Sequence, residues 1–136
     1  MVEVTVHAET EINATEDAEK VKSAVNNILG SASISITPTQ KGSILNAQAK
    51  GQESLIKLRN LLRQDRIRDA ARKLLFKSIR GDTISFYLNK QVAYAGHISF
   101  CEETAESPLG PIQVTVETEN PRQLVEWLAE RTKQEG

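Results

Sequence analysis

The chain has 136 residues, 39% of them hydrophobic and 26% charged, with a formal net charge of −1 and one cysteine. That length suits one domain, residues 1–136, with a substantial core. No run of about 18 apolar residues offers a membrane-spanning helix, the opening MVEVTVHAETE lacks the basic and apolar regions of a secretion signal, and Cys101 has no second cysteine to bridge, so a reduced cytoplasmic setting is expected.

Val2, Val4 and Val6 alternate with Glu3, Thr5 and His7, the pattern of a strand with one wet face. Asn13 or Thr15 can cap the helix that follows, with Glu16, Asp17 and Glu19 at the positive end of its dipole. Ala18, Val21, Val25, Ile28 and Leu29 recur at helical spacing up to Gly30, placed to end the helix at the C′ position. Ala32, Ile34 and Ile36 alternate in a second strand that stops near Pro38. After a Lys41-Gly42 turn, Ser43 to Lys50 forms a weaker strand. From Glu53 the period becomes helical. Leu55, Leu58 and Leu62 make one stripe; Ile67, Ala70, Ala71, Leu74, Leu75 and Ser78 make another in a different phase. This gives two helices broken near Gln64-Asp65, or one bent helix. Thr83 to Leu88 and Gln91 to Phe100 read as a hairpin turning at Asn89-Lys90, with a bulge at Gly96. Ile112, Val114 and Val116 mark a last strand, and Asn120-Pro121-Arg122-Gln123 is a helix start with cap, proline and Gln in place. The order β-α-β-β-α-α-β-β-β-α predicts an α+β fold, a mixed, largely antiparallel sheet of about six strands with helices packed on it.

Thr15-Glu16-Asp17 followed by Glu19-Lys20-Val21 and Ala24 resembles the TED-x-E-K-V-x-x-A opening of an archaeal group. Ser54-Leu55, Leu58-Arg59, Leu62-Arg63 and Asp69-Ala70-Ala71-Arg72 look like its central helices. Phe86-Tyr87-Leu88-Asn89-Lys90-Gln91-Val92-Ala93 looks like its F-Y-L-N-K-Q-A-A segment, with Val92 where the pattern usually has Ala. The group is uncharacterised protein family 0201, within a wider set of predicted RNA-binding or exosome-associated proteins, and the resemblance covers about residues 2–118. It implies an archaeal cytoplasmic protein folded like large-subunit ribosomal protein five. It brings no activity with it.

The charge map carries the functional lead. Residues 51–80 hold nine bases against three acids, +6 in a chain that totals −1. The bases are Lys57, Arg59, Arg63, Arg66, Arg68, Arg72, Lys73, Lys77 and Arg80; a basic face of this kind attracts polyanions. On a helical wheel Arg66, Lys73, Lys77 and Arg80 fall within about 60° of one another. Arg outnumbers Lys, which favours bidentate phosphate contacts. Asp69 is placed to pair with Lys73, and Asp65 to reach Arg68. Lys90, at the expected turn, is a further phosphate candidate, and Gln91 could meet a base or a partner backbone, although turn chemistry alone accounts for both. Phe76 and Tyr87 are aromatics that could stack on a base; for Phe76 packing is the simpler role. Against these stands charge matching. Residues 1–19 carry six acids and no base, and residues 101–136 carry eight acids against three bases, so the basic helices could dock on acidic surfaces of this chain or of a second copy.

Enzymatic constellations are missing. His7 and His97 have no metal-ligand spacing around them, Cys101 lies too far along a strand from His97 to pair with it, and no phosphate-cradling glycine loop occurs. The expectation is a non-enzyme without cofactor that binds RNA through its basic helices. The alternative is a protein–protein module, as a homodimer or with another partner.

Overall fold

The computed structural model describes residues 3–101 and 110–130. Strand β1 (Val4–Asn13) buries alternate residues from Val4 to Ile12. Helix α1 (Ala18–Ile28) is capped by Asp17, whose carboxylate accepts the Glu19 N–H at 2.9 Å. Neither Asn13 nor Thr15 is the cap, because Asn13 ends the strand and donates both its N–H and its side-chain amide to Glu16. The helix ends at an extended Leu29 and not through a left-handed Gly30. A hairpin of β2 (Ser33–Thr39) and β3 (Gly42–Lys50) follows, then a 3-10 turn (Gln52–Leu55) leading into α2 (Ile56–Gln64). Helix α3 (Arg68–Lys77) is separate from α2, since Arg66 breaks the chain at φ 58°.

After α3 come β4 (Ile79–Arg80) and β5 (Thr83–Asn89). The expected hairpin turn at Asn89-Lys90 is a helix start instead. The Asn89 side chain accepts the Val92 N–H at 3.0 Å and opens α4 (Lys90–Tyr94), and only then does β6 (Phe100–Cys101) return to β5. Strand β7 (Pro111–Thr118) and helix α5 (Pro121–Leu128) complete the fold; Asn120 caps α5 with Pro121 at its first turn, as the sequence indicates.

Among the described residues all strand pairings are antiparallel. The seven-stranded sheet runs β2-β3-β1-β7-β5-β4, with β6 on the remaining length of β5. The core-facing residues of β1, β3, β5 and β7 join Val21, Val25, Ile28, Leu58, Leu62, Ala71, Leu75, Leu124 and Leu128 of the helices in one apolar cluster. Among the described residues, helices therefore cover one face of the sheet and leave the other open. On the open face lie registered polar rows such as Ser33, Gln48, His7, Thr115 and Ser85.

Gly42 shows how tightly the strands close. A Cβ there would lie 2.2 Å from the Ile12 carbonyl oxygen, at a φ of 151°. Gly42→Ala must pry β3 from β1 at this end. The expected loss is at least about 2 kcal/mol of unfolding free energy, read by urea denaturation.

Candidate nucleic-acid interface

Helices α2 and α3 bury Leu58, Leu61, Leu62, Ala71 and Leu75 against the core and turn the rest outward. Of the nine bases in this region, Lys57, Arg63, Arg66, Lys73, Lys77 and Arg80 are exposed and Arg59, Arg68 and Arg72 are half-buried. The wheel that aligns four of them holds only for Lys73 and Lys77. Arg66 precedes the helix in a left-handed conformation and Arg80 follows it on β4.

Two of the nine are neutralised within the chain. Arg72 forks onto the Glu126 carboxylate of α5, with Nη1 2.7 Å from Oε2. This hydrogen-bonded partner raises the guanidinium's already high pKa. Arg59 donates Nε to the Trp127 carbonyl and Nη2 to Glu130, both at 2.9 Å, and its guanidinium lies 5.3 Å from the Trp127 ring centre. Lys57 gives its ammonium to the Asn26 carbonyl at 2.7 Å, and Arg80 bonds the carbonyls of Lys77 and Ile79. Among the described residues no carboxylate forms an ion pair with Lys57, Arg63, Arg66, Arg68, Lys73, Lys77 or Arg80. Asp65 does not take Arg68. It accepts from His97 Nδ1 at 3.0 Å and from the Ile98 N–H at 2.9 Å. Burial pushes its pKa up, but these two donors outweigh that and hold it below the ordinary value.

The acids of the amino-terminal segment lie elsewhere. Glu9 and Glu11 stand on the open face of the sheet, the Glu117 side chain on the same face, while the basic helices pack on the other. Glu16 is paired with Lys90, and Glu19 with Lys22 in the next turn of α1. Among the described residues, ion pairs to the basic helices therefore come from Glu126 of α5 and Glu130 just past it, and not from the amino-terminal acids.

Lys90 is corrected as a phosphate contact. It is 3% exposed and its ammonium donates to the Glu11 carbonyl at 2.6 Å and to Glu16 at 3.0 Å. Phe76 is half-buried beneath two guanidiniums, Arg72 at 4.9 Å and Arg122 at 5.5 Å, so its ring already has partners. Tyr87 is half-buried on the open face beside Gln113 and Cys101 in register. The exposed aromatic on the helical side is Tyr94 of α4, at 48%. Sequence reasoning missed it, having placed it in a strand. Arg122 was also missed as a neighbour of α3, because nothing local in the sequence brings α5 there. Among the described residues no three His, Cys, Asp or Glu side chains group to hold a metal, and no helix is long and apolar enough to cross a membrane.

A family model described as RNA binding matches residues 5–118. A UPF0201 protein of Pyrobaculum calidifontis is 44% identical over 93% of this chain and 90% of its own length. The chain belongs to the archaeal UPF0201 family. Another UPF0201 protein, from Sulfolobus acidocaldarius, is 43% identical over 93% of this chain and 88% of its own. The crystal structure of the UPF0201 protein from Methanococcus jannaschii superposes with a TM-score of 0.82 at 31% identity, covering 92% of this chain and 98% of that one. A protein from Sulfolobus solfataricus shares the fold alone, at 15% identity and a TM-score of 0.65, over 92% of this chain and 96% of its own. The UPF0201 family is thus described by binding and not by a reaction.

Proposed function

We propose that this protein binds RNA without catalysis, in the cytoplasm, by laying the phosphate backbone along α2, α3 and the start of β4. One observation carries the reading: Arg63, Arg66, Arg68, Lys73, Lys77 and Arg80 have no carboxylate partner among the described residues, while Glu9 and Glu11 lie across the sheet and Glu16 and Glu19 are paired with Lys90 and Lys22. Unpaired guanidinium and ammonium groups on packed elements release condensed counterions when they meet phosphates, which drives binding with little regard to sequence. The family's description as RNA binding supports the same reading.

Salt tests it directly. Titrating a fluorescent RNA by anisotropy from 50 to 200 mM salt is expected to give a log–log slope of about −4 to −5, as six phosphate contacts require. A slope near zero, or no binding at low salt, removes the proposal.

The second reading, a module that docks on acidic protein surfaces, draws support from Arg59–Glu130 and Arg72–Glu126, where these helices already take acidic partners. In that case a second copy would offer Glu9, Glu11 and Glu117 on its open sheet face.

A further inference from the structure

The two motifs at Thr15–Asp17 and Asn89–Gln91 lie far apart in sequence and meet in space. They border a cavity of about 350 Å³ between α1 and α4, lined among others by Thr15, Val21, Ala24, Gln91 and Tyr94. We infer that this cavity takes an unpaired nucleobase, stacked on Tyr94, from the RNA held by the basic helices. The inference rests on the RNA-binding reading and deepens it from backbone contact to recognition of unpaired segments.

Three features select this ligand chemistry. First, the charges at the cavity cancel. Glu16 and Lys90 are locked to each other, and Asp17, spent as the α1 cap, is offset in charge by Lys20 in the same lining. A neutral planar group is therefore better suited than an ion. Second, the lining combines the tightly packed Val21 and Ala24 beneath the surface with polar groups from Thr15 and Gln91 that can meet a base edge, the usual make-up of a small-ligand site. Third, the aromatic is held in place yet half open. Asn27 donates its amide to the carbonyls of Ala93 and Tyr94 at 2.9 and 3.3 Å, and Asn89 caps the same helix. Lys20 rests 5.9 Å from the Tyr94 ring centre, the outer limit of a cation–π contact, so a base can displace it and leave its ammonium for the adjoining phosphate.

The chain also links the helix that bears Tyr94 to the basic segment. The chain leaves α4 through Gly96 to His97, which bonds Asp65 at the junction of α2 and α3, next to Arg66. This connection is the route by which RNA engaged at Arg66 would reach Tyr94.

Neutral nucleosides separate this site from the phosphate surface. Adenosine, guanosine, cytidine and uridine are each titrated to about 10 mM, the range where weak stacking saturates, while amide shifts are followed by NMR. The expected result is saturable shifts at Val21, Gln91 and Tyr94 with at least one nucleoside. Tyr94→Ala, an exposed substitution, weakens that binding about tenfold, and Tyr94→Trp preserves it. Replacing Arg66, Lys73, Lys77 and Arg80 by Glu, all outside the cavity, leaves it unchanged. No saturable shift with any nucleoside, or undiminished binding in Tyr94→Ala, overturns the inference. RNA binding that persists without nucleoside binding leaves the phosphate reading standing and removes this pocket. Nucleoside binding by a protein that ignores RNA removes the phosphate reading instead.

Discussion

Reversing Arg66, Lys73, Lys77 and Arg80 to Glu together weakens RNA binding by at least about a hundredfold at low salt and removes roughly three units from the salt slope, because each phosphate contact contributes about 0.7 to 0.9. All four side chains are exposed and none is in an ion pair with a described carboxylate. The substitutions should therefore leave the fold intact, which circular dichroism and urea denaturation check. Only Arg80 gives up local bonds, to the carbonyls of Lys77 and Ile79. Arg59 and Arg72 are the wrong targets. Each is bound to α5, so reversing them sets two carboxylates face to face and reports on packing as much as on binding. Unchanged RNA affinity in the fourfold variant defeats the phosphate reading at this surface. Loss of self-association in its place, seen by analytical ultracentrifugation, moves the balance to acidic protein partners.

The strands were legible because burial on one face imposes a period of two. Val4 and Val6, then Ile84, Phe86 and Leu88, then Ile112, Val114 and Val116 announce it directly. The cap at Asn120 was legible for a similar reason, since the capping chemistry is local. Helix α4 was not. Five residues are too few to display a helical period, and Asn suits both a turn and a helix cap, so the local signal is ambiguous between them. Within the candidate site, the clustering of bases was visible and their pairing was not. Arg72 meets Glu126 across 54 residues and Arg59 meets Glu130 across 71. Only the packing of α5 against α2 and α3 creates these pairs, and no spacing in the sequence encodes them. Lys90 misled for a more general reason. Lysines are rarely buried without a partner, and its partner, Glu16, lies 74 residues away.

Lys90→Met is expected to cost about 3–5 kcal/mol of stability, the range for breaking a buried ion pair from one side, and so a large part of what holds a domain of this size together. The ammonium serves two acceptors at once, the Glu11 carbonyl at 2.6 Å and the Glu16 carboxylate at 3.0 Å, and tethers the start of α4 to the end of β1. Methionine fills the space but leaves the Glu16 charge buried with only the Asn13 donors. Adding Glu16→Leu removes that stranded charge, so the double variant should be more stable than Lys90→Met alone. If the two losses simply add, the pair is not coupled and the argument fails. The pH dependence has a definite sign. Burial pushes Glu16 upward, but the Asn13 N–H, the Lys90 bond and the Asn13 amide together outweigh it and hold the carboxyl below its ordinary value of 4.5. A carboxylate depressed in the folded state contributes its stability fully above the unfolded pKa and loses it as pH falls through the folded one. Unfolding free energies measured from neutral pH downward should therefore fall below about pH 4.5 in the parent protein. In Glu16→Gln they should fall less steeply, because the residue that remains no longer titrates.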